Sequence, residues 1–465
     1  MARADNLEQT TGRLNRRTLG RAALGAGALV GGLSGGLAAA PVRRAAAQDD
    51  IKLTFMHWGS QEEANVVGSF LKKFEEANPG ITVDQQHVVD ENDSYATRLN
   101  TLVASGQLPD VFYCNEAMAF PLAEQGVILD VTPYAADFIA RRVPGSMYYF
   151  APGKTFGGMS AVETTLLFAN KDLFDEAGVA LPPTTAETAW TWDQLIDTAK
   201  SLTKDRQGRD ANDPAFDPES IQQYGVNFAQ AWFVWYALTR SAGGDFTDEA
   251  GTTFTLNGPP AVDVFQKLQD LIHVHHVAPT PTASEGLPAT AQQLQTRRVA
   301  MTLDGQWNLL DMNKAEVPLA VGVLPRINEP TTCIIGASTV VSASSPNRDA
   351  ALALFQFSSD PASVLDLITS GLWMPTESAW YTDPNLVAQW ADNDVHPPEY
   401  KDAAMSYVLN HSIQGPVTIK GYSAIAPRLD AHLDELWLGS KPAQQVLDEA
   451  AAEIGPMLTG RYPNQ

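Results

Sequence analysis

Short apolar strands alternate with amphipathic helices over residues 51–114, and this alternation limits the possible folds more than any other feature of the sequence. Strand-like patterns occur at 52–56, in "ITVDQQHV" (81–88) and in "PDVFYC" (109–114). Between them, "EEANVVGSFLKKFEEANPG" and "YATRLNTLVASG" space their apolar residues as helices do. This order predicts an α/β fold with a parallel sheet, in which ligands bind beyond the carboxyl ends of the strands.

The rest of the chain continues the same pattern. Thr191 is the expected N-cap of a helix over 191–202, and "VAMTLDGQW" (299–307) is predicted as a strand that ends in a turn. Further helices are predicted at 258–276, 347–360, 383–392 and 442–458. Because 465 residues with 44% hydrophobic composition exceed what one core usually holds, we expect two α/β lobes.

The first 47 residues have the pattern of an export signal. "NRRTLGR" (15–21) places two adjacent arginines before an uncharged stretch, and Ala45 and Ala47 offer the small residues of a cleavage site. The uncharged stretch is too rich in glycine for a stable membrane span. The arginine pair predicts a signal peptide of the twin-arginine type at 1–47, with an ordinary Sec signal as the alternative.

The charge balance limits the partners of the exported chain. Asp and Glu number 54 against 31 Lys and Arg, which gives a net charge of -23. Residues 1–47 carry seven Arg and two acidic residues, so their removal lowers this charge by five, to -28. A nucleic-acid partner is therefore not expected. Neither Cys114 nor Cys333 lies near the cleavage site, so no lipid anchor is predicted; a disulfide between them stays open.

Motifs for catalysis or metal binding are incomplete. "APGKT" (151–155) lacks the earlier glycine of a phosphate loop, because Tyr148 occupies that position. His273 and His276 lie one helical turn apart, but no further ligand motif accompanies them, which favours a helix end over a metal site. No G-x-S-x-G or H-E-x-x-H motif occurs. We predict no catalytic residues, metal or cofactor, although paired carboxylates of a glycan hydrolase would leave no sequence pattern.

Aromatic residues next to glycine or an amide recur where elements end. Trp58 precedes Gly59, Trp307 follows "DGQ", and "NFAQAWFVWYAL" (227–238) holds four large rings. Rings that only fill a core should lie on the apolar stripe of an element, and several of these do not. Sugar rings stack on indole through their C–H faces and need polar partners for their hydroxyls. The pattern therefore favours a sugar-binding cleft.

Several segments resemble one known family in order along the chain. They are "LPDVFYCNEAMAFPLAEQGVILDVTPY" (108–134), "AVETTLLFANKDLFDEAG" (161–178), "GASTVVSASSPNRDAALAL" (336–354), "GLWMPT" (371–376) and "LWLGSKPAQQVLDEAAAEI" (436–454). The sequence resembles the carbohydrate-type extracellular solute-binding proteins of bacterial ABC importers, the maltose-binding protein group. The resemblance implies a two-lobed periplasmic-binding-protein fold with a hinge and an interlobe cleft. Its lobes would be 50–161 plus about 340–372, and 162–339 plus about 373–465.

The same resemblance implies a set of ligand contacts. They are Trp58, Ser60, Gln61, Asn115, Glu116, Glu163, Gln230, Trp232, Asp304, Trp307, Gly336, Ala337, Trp373 and Tyr422. Trp58, Trp232 and Trp307 would stack on sugar rings, and Glu163, Gln230 and Asp304 would bind hydroxyls. Helical spacing directs Phe233 and Tyr236 largely to packing. Because Ser60, Gln61 and Gln230 depart from the residues of maltose binders, maltose itself is not implied.

The expected function is that of an exported, monomeric receptor in the periplasm or on the extracellular face of the membrane. It would bind a mono- or oligosaccharide and deliver it to an ABC permease driven by a cytoplasmic ATPase. Two alternatives stay open at this point. The same fold could bind a glycerophosphodiester or a polyamine, although anionic ligands should require Arg or Lys in the matched loops. An exported glycan hydrolase is the alternative from another class.

Overall fold

The computed structural model describes residues 50–89 and 94–464, so the predicted signal peptide at 1–47 lies outside the described residues. The strands are β1 (Ile51–Trp58), β2 (Ile81–Val88), β3 (Val111–Cys114), β4 (Met147–Ala151), β5 (Lys154–Gly158), β6 (Glu163–Asn170), β7 (Lys204–Asp205), β8 (Ile221–Phe228), β9 (Val299–Gly305), β10 (Leu319–Gly322), β11 (Thr332–Ile335), β12 (Ser338–Val341) and β13 (Ser412–Gln414).

The helices cover the segments between these strands and most of the C-terminal part. They are α1 (Gln61–Ala77), α2 (Ser94–Ser105), α3 (Glu116–Glu124), α4 (Thr132–Ile139), α5 (Lys171–Ala177), α6 (Trp192–Leu202), α7 (Trp232–Ser241), α8 (Pro259–His273), α9 (Pro281–Ser284), α10 (Thr290–Gln295), α11 (Asn308–Lys314), α12 (Arg348–Ser358), α13 (Leu365–Thr369), α14 (Ala379–Thr382), α15 (Pro384–Trp390), α16 (Tyr407–His411), α17 (Tyr422–Trp437) and α18 (Ala443–Ile454).

A four-stranded sheet forms from the first three strands and one distant strand, in the order β12-β3-β1-β2. β1 runs parallel to β2 and to β3, as the alternation of strands and helices predicts. β12 returns from the later part of the chain and pairs antiparallel with β3. The buried face of α1, which includes Phe70 and Phe74, covers this sheet's core. The α/β class predicted for residues 51–114 is confirmed.

A larger, mixed sheet forms from the middle of the chain, in the order β13-β11-β6-β9-β8-β7, with β10 also paired to β6. Its centre is β6, which is buried from its second residue onward because it has neighbours on both edges. β6 runs antiparallel to β9, β10 and β11, and only β8 with β9 and β11 with β13 are parallel pairs. The expectation of parallel strands therefore holds for β1, β2 and β3 and fails for most pairs of the second sheet.

The chain passes between the two sheets at three neighbouring places. The first crossing leads from the hairpin of β4 and β5 into β6, and the second is the two-residue link between β11 and β12. The third lies at Met374, which forms a β-bridge with Val162 of the first crossing. The fold is thus the two-lobed α/β arrangement expected from the resemblance. The lobe limits at 161/162, about 340 and about 372 stay a prediction.

Two further features concern the cysteines and the membrane. Cys114 and Cys333 are buried, unbridged thiols, one in each sheet. In residues 50–89 and 94–464, no helix combines the length and the apolar composition that crossing a bilayer requires.

The start of α6 shows how a local sequence signal fixes an element. Thr191 has extended backbone angles, and its Oγ1 accepts a hydrogen bond from the Gln194 amide at 3.3 Å. In return, the Thr191 amide donates to the Gln194 side chain at 2.9 Å. This reciprocal pair satisfies two amides that the helix itself leaves unpaired. The N-cap predicted at Thr191 is confirmed.

We expect Thr191→Ala to lower the free energy of unfolding by about 1 kcal/mol, because one amide of α6 loses its acceptor. Urea unfolding followed by circular dichroism measures this change. Thr191→Ser keeps the hydroxyl and is the matched control, with an expected change of a few tenths of a kcal/mol. Equal destabilisation by both variants would contradict a capping role.

Candidate ligand-binding cavity

One cavity of about 900 Å³ lies where the two sheets meet. Trp58 ends β1, Glu116 follows β3, and Trp232 and Trp307 follow β8 and β9. The antiparallel β6 contributes Glu163 from its first residue, at the same edge of the sheet. The cavity therefore lies beyond the carboxyl ends of four strands, where α/β proteins bind ligands.

Most residues predicted from the resemblance line this cavity. They are Trp58, Ser60, Asn115, Glu116, Glu163, Trp232, Trp307, Ala337 and Trp373. They come from loops that lie far apart in the sequence, and the two sheets bring them to one space. The three tryptophans expected to stack on sugar, Trp58, Trp232 and Trp307, thus share a single crevice.

Two predicted polar contacts point to solvent. Gln61 is the first residue of α1; its side chain is exposed and donates to Asn65 at 3.2 Å, as neighbours one turn apart do. Gln230 is exposed in the loop before α7 and lies outside the cavity lining. The helix begins two residues later, so the lining on this loop comes from Ala231 and Trp232.

Three other predicted contacts are packed behind or away from the cavity lining. Asp304 is buried and accepts from Thr290 Oγ1 at 3.0 Å and from the Gly305 amide at 2.7 Å, so it holds the turn after β9. A Cβ at Gly336 would lie 2.1 Å from the Ala161 carbonyl oxygen, so this glycine allows two backbones to approach. Tyr422 is buried at the start of α17, with its ring edge-on to Phe246. The structure gives these three residues structural roles.

Several lining residues were not predicted as ligand contacts. They include Glu63, Tyr95, Tyr113, Ser160, Phe233 and Asp311. Phe233 was assigned largely to packing, but its ring lies edge-on to Trp307 at 5.1 Å between centroids and faces the cavity. Asp311 lies four residues after Trp307, a spacing that places both on one side of α11 and could have indicated it. Tyr236, in contrast, is buried as predicted.

Two glycines provide the surfaces on which two of the tryptophan rings rest, and we call these surfaces the glycine seats. A Cβ at Gly305 would lie 2.1 Å from Cη2 of Trp307, and one at Gly415 would lie 2.3 Å from Cζ3 of Trp232. Both indole rings therefore rest directly on backbone. Trp58 is instead held edge-on by Tyr95 and Tyr113, at 4.9 and 5.2 Å between ring centroids. The aromatic platforms are fixed in position by packing.

The polar groups of the cavity are predominantly acidic. Glu63, Glu116, Glu163 and Asp311 line it, and among the described lining residues there is no Arg, Lys or His. Burial raises the pKa of Glu116 to about 7, opposed by hydrogen bonds from its own amide and from the Tyr148 hydroxyl. Burial also raises the pKa of Glu163 well above its usual range, reinforced by Glu63 and Glu116. These carboxyls can accept hydrogen bonds when ionised and donate when protonated.

The described residues include no group of three or more His, Cys, Asp or Glu side chains arranged to hold a metal ion. His273, one member of the pair considered from the sequence, places Nε2 2.8 Å from the Trp437 carbonyl oxygen. It joins α8 to the end of α17.

Two α/β lobes share one cavity at the ends of their strands, and aromatic and acidic side chains line it. This arrangement is typical of proteins that bind a small solute between two lobes. The sequence profile of the family "Bacterial extracellular solute-binding protein" matches residues 59–364. The chain belongs to this family, which is one of binding proteins rather than enzymes.

Individual relatives agree with this membership. The chain is 25% identical over 369 residues to the "Putative ABC transporter periplasmic-binding protein YcjN" of Escherichia coli K12, covering 74% of this chain and 77% of that protein. Among solved structures, the ABC substrate-binding protein Lmo0181 of Listeria monocytogenes, in complex with cycloalternan, superposes with a TM-score of 0.74 at 23% identity and covers 88% of this chain and 99% of its own. Maltose-bound MalE3 of T. maritima gives 0.73 at 20% identity, with coverage of 88% and 100%. At these identities the structural likeness shows the fold.

We expect the stability of Glu116→Gln and of the wild type to diverge as pH rises. Because the folded pKa of about 7 lies above the ordinary 4.5, the stability from this group is complete below pH 4.5 and is lost as pH rises to about 7. Above that pH the wild type should have lost about 3 kcal/mol relative to the glutamine variant. Denaturant unfolding of both proteins across this range measures the difference. Parallel stability curves would show that Glu116 titrates normally.

We expect Gly415→Ala to move the Trp232 ring with little loss of stability. The backbone angles of Gly415, φ -67° and ψ 174°, suit alanine, so the clash falls on the indole. The free energy of unfolding should change by less than about 1 kcal/mol, while the indole N–H resonance of Trp232 shifts. Gly455→Ala is the control, since no atom lies within 4 Å of its Cβ position. An unmoved Trp232 resonance would contradict the proposed seat.

Proposed function

We propose that this chain is the extracytoplasmic substrate-binding subunit of an ABC importer and that it captures a mono- or oligosaccharide between its lobes. The observation that carries the proposal is the convergence of Trp58, Trp232, Trp307 and Trp373 on one cavity that also holds carboxyl groups. Indole faces complement the C–H faces of a sugar, and carboxylates accept from its hydroxyls. The chain would bind its ligand and release it unchanged.

The size and the polar groups of the cavity support a ligand with more than one sugar ring. Ligand pockets usually measure about 300–1,000 Å³, and this one, at about 900 Å³, is at the upper end of that range. Asn115, Asn308 and Ser160 add amide and hydroxyl groups between the tryptophans. Closure of the lobes would exclude water from the hydrogen bonds between these groups and the ligand and so strengthen them.

Comparison with relatives supports both parts of the proposal. Lmo0181 and MalE3 are named as complexes with cycloalternan and maltose, and YcjN is named as a periplasmic-binding protein of an ABC transporter. By analogy, the partners are a membrane permease and its cytoplasmic ATPase. A twin-arginine signal at 1–47 would export the chain, which would act as a monomer in the periplasm or at the extracellular face.

The contacts that we propose are those predicted residues that line the cavity, together with Tyr95, Phe233 and Asp311. Trp307 and Trp232 would stack on the ligand, because both rings are seated on glycine backbone and face the cavity. Glu163 would accept from a hydroxyl, since it faces the cavity from the first residue of β6.

The acidic lining favours one alternative and disfavours another. A glycerophosphodiester would bring negative charge to a cavity whose described lining has carboxyls and no cationic side chain. A polyamine would complement the negative charge, but it has no ring that could stack on the tryptophan side chains. Thermal-shift screening against sugars, polyamines and phosphodiesters separates these ligands, and stabilisation by polyamines alone would refute the sugar proposal. Release of reducing ends from glycans would instead reveal a hydrolase.

We expect Trp307→Ala to weaken binding of the cognate saccharide by about 2 kcal/mol, roughly 30-fold, because a desolvated stacking surface is lost. Trp307→Phe should recover part of this loss, since it keeps a smaller ring over Gly305. Isothermal titration calorimetry measures both changes. Trp190→Phe is the matched control, because Trp190 is partly buried outside the cavity. Unchanged affinity of Trp307→Ala would refute the stacking assignment.

A further inference from the structure

We infer that the saccharide bound in this cavity carries a protonated amine. This inference rests on the function proposed above and specifies the class of its ligand. It follows from three features of the cavity: the balance of charge in its lining, the partners that its carboxyls already have, and the aromatic rings that surround them.

The charge in the lining is all of one sign. Glu63, Glu116, Glu163 and Asp311 face the cavity, and the described part of its lining has no Lys, Arg or His to offset them. Carboxylates brought together in a partly dry space repel one another and lose hydration. With a neutral sugar the carboxyls can avoid that cost only by taking up protons, which is the direction in which burial shifts the pKa of Glu116 and Glu163, whereas an ammonium group would offset the charge directly.

Three of these carboxyls, those of Glu63, Glu116 and Asp311, have partners within the protein. Glu116 accepts from the Tyr148 hydroxyl at 3.3 Å, and Asp311 accepts from the Ser60 hydroxyl at 3.3 Å. Glu163 differs: its backbone pairs with Ile335 of β11, but within residues 50–89 and 94–464 its carboxyl group forms no hydrogen bond or ion pair. Its position at the first residue of β6 points it into the cavity lining. Glu163 is therefore the carboxyl with capacity for a ligand cation.

The hydrogen-bonding groups of the cavity are also matched to a donor-rich ligand. The carboxylates supply acceptors, while the Tyr95 hydroxyl donates to the Tyr113 carbonyl at 2.6 Å and is engaged within the protein. An ammonium group has three donors and no acceptor, which complements such a lining. A metal ion fits less well, because the described residues include no metal-binding group of three or more acidic or histidine side chains.

The aromatic rings support both parts of such a ligand. Trp58, Trp232, Trp307 and Trp373 line the same space as the four carboxyls. Indole is the side chain that attracts cations most strongly through its ring face, and it also stacks on the apolar face of a sugar. An amino sugar would use the rings and the carboxyls together, whereas a linear polyamine would use mainly the charge.

The test compares two ligands that differ only at nitrogen: a glucosamine disaccharide, whose amines are protonated, and its N-acetylated counterpart, which is neutral. Titration calorimetry on the wild type should show the amine ligand binding about tenfold or more tightly. Glu163→Gln should weaken the amine ligand by about tenfold and the acetylated ligand by less than about threefold. Glu76→Gln, the same charge change on an exposed position of α1, should leave both affinities unchanged.

The outcomes distinguish a failure of this inference from a failure of the proposed function. Equal or tighter binding of the acetylated or another neutral saccharide would overturn the inference and leave sugar capture standing. A preference for the amine that survives Glu163→Gln would overturn the role of Glu163. Binding of spermidine, with no saccharide of either kind bound, would overturn the proposed function and the inference together. The comparison on the wild type does not depend on the folding of any variant.

Discussion

Three neighbouring stretches of backbone connect the two sheets, and the ligand cavity is built on them. The Ser160 amide donates to the Ala337 carbonyl at 2.8 Å, and Val162 and Met374 exchange two main-chain hydrogen bonds at 3.1 and 2.9 Å. These bonds hold together chain segments that are about 170 to 210 residues apart in sequence. Gly336 makes the contact possible, since any side chain there would strike the Ala161 carbonyl. Backbone hydrogen bonds therefore fix this part of the cavity wall, and the side chains attached to it are held in place with it.

The same crossings explain why the acidic groups can be concentrated. Glu163 lies directly after the crossing at Val162, and Glu116 lies after β3, whose partner β12 begins just beyond Ala337. Rigid backbone holds the carboxyls close although they repel each other, and stability elsewhere in the fold offsets this cost. At the rim, Ser60 bonds Asp311 across from α1 to α11, so a polar contact joins elements of the two sheets beside the cavity. The four carboxyl groups therefore face one shared cavity.

Local structure was predictable from the sequence, and the long-range contacts were only partly so. β2 and the N-cap of α6 follow from alternation and from one threonine, because both depend on neighbouring residues. Trp58, Trp232 and Trp307, which come from the resemblance, line the cavity, since each lies at or after the end of a strand. The resemblance could not tell that Asp304 turns inward to Thr290 and the Gly305 amide. Phe233, assigned largely to packing, does pack against the core and on Trp307, but it also lines the cavity, which helical spacing within one helix does not describe.

The glycine seats of Trp307 and Trp232 affect how the cavity would bind a ligand. For Trp307 the structure gives a physical reason for the glycine two residues before it, since Gly305 lets the indole rest on backbone at a distance that a Cβ would forbid. Gly415, which is distant in sequence, does the same for Trp232. A ring that rests on backbone in this way is already ordered in the free protein, so less side-chain entropy remains to be lost when a ligand binds. In the proposed binding mode the platforms would be formed before binding, and the free energy of stacking would then be available for affinity. Selectivity can be left to the polar groups between the rings, where Glu163 is the acceptor that the fold itself does not use.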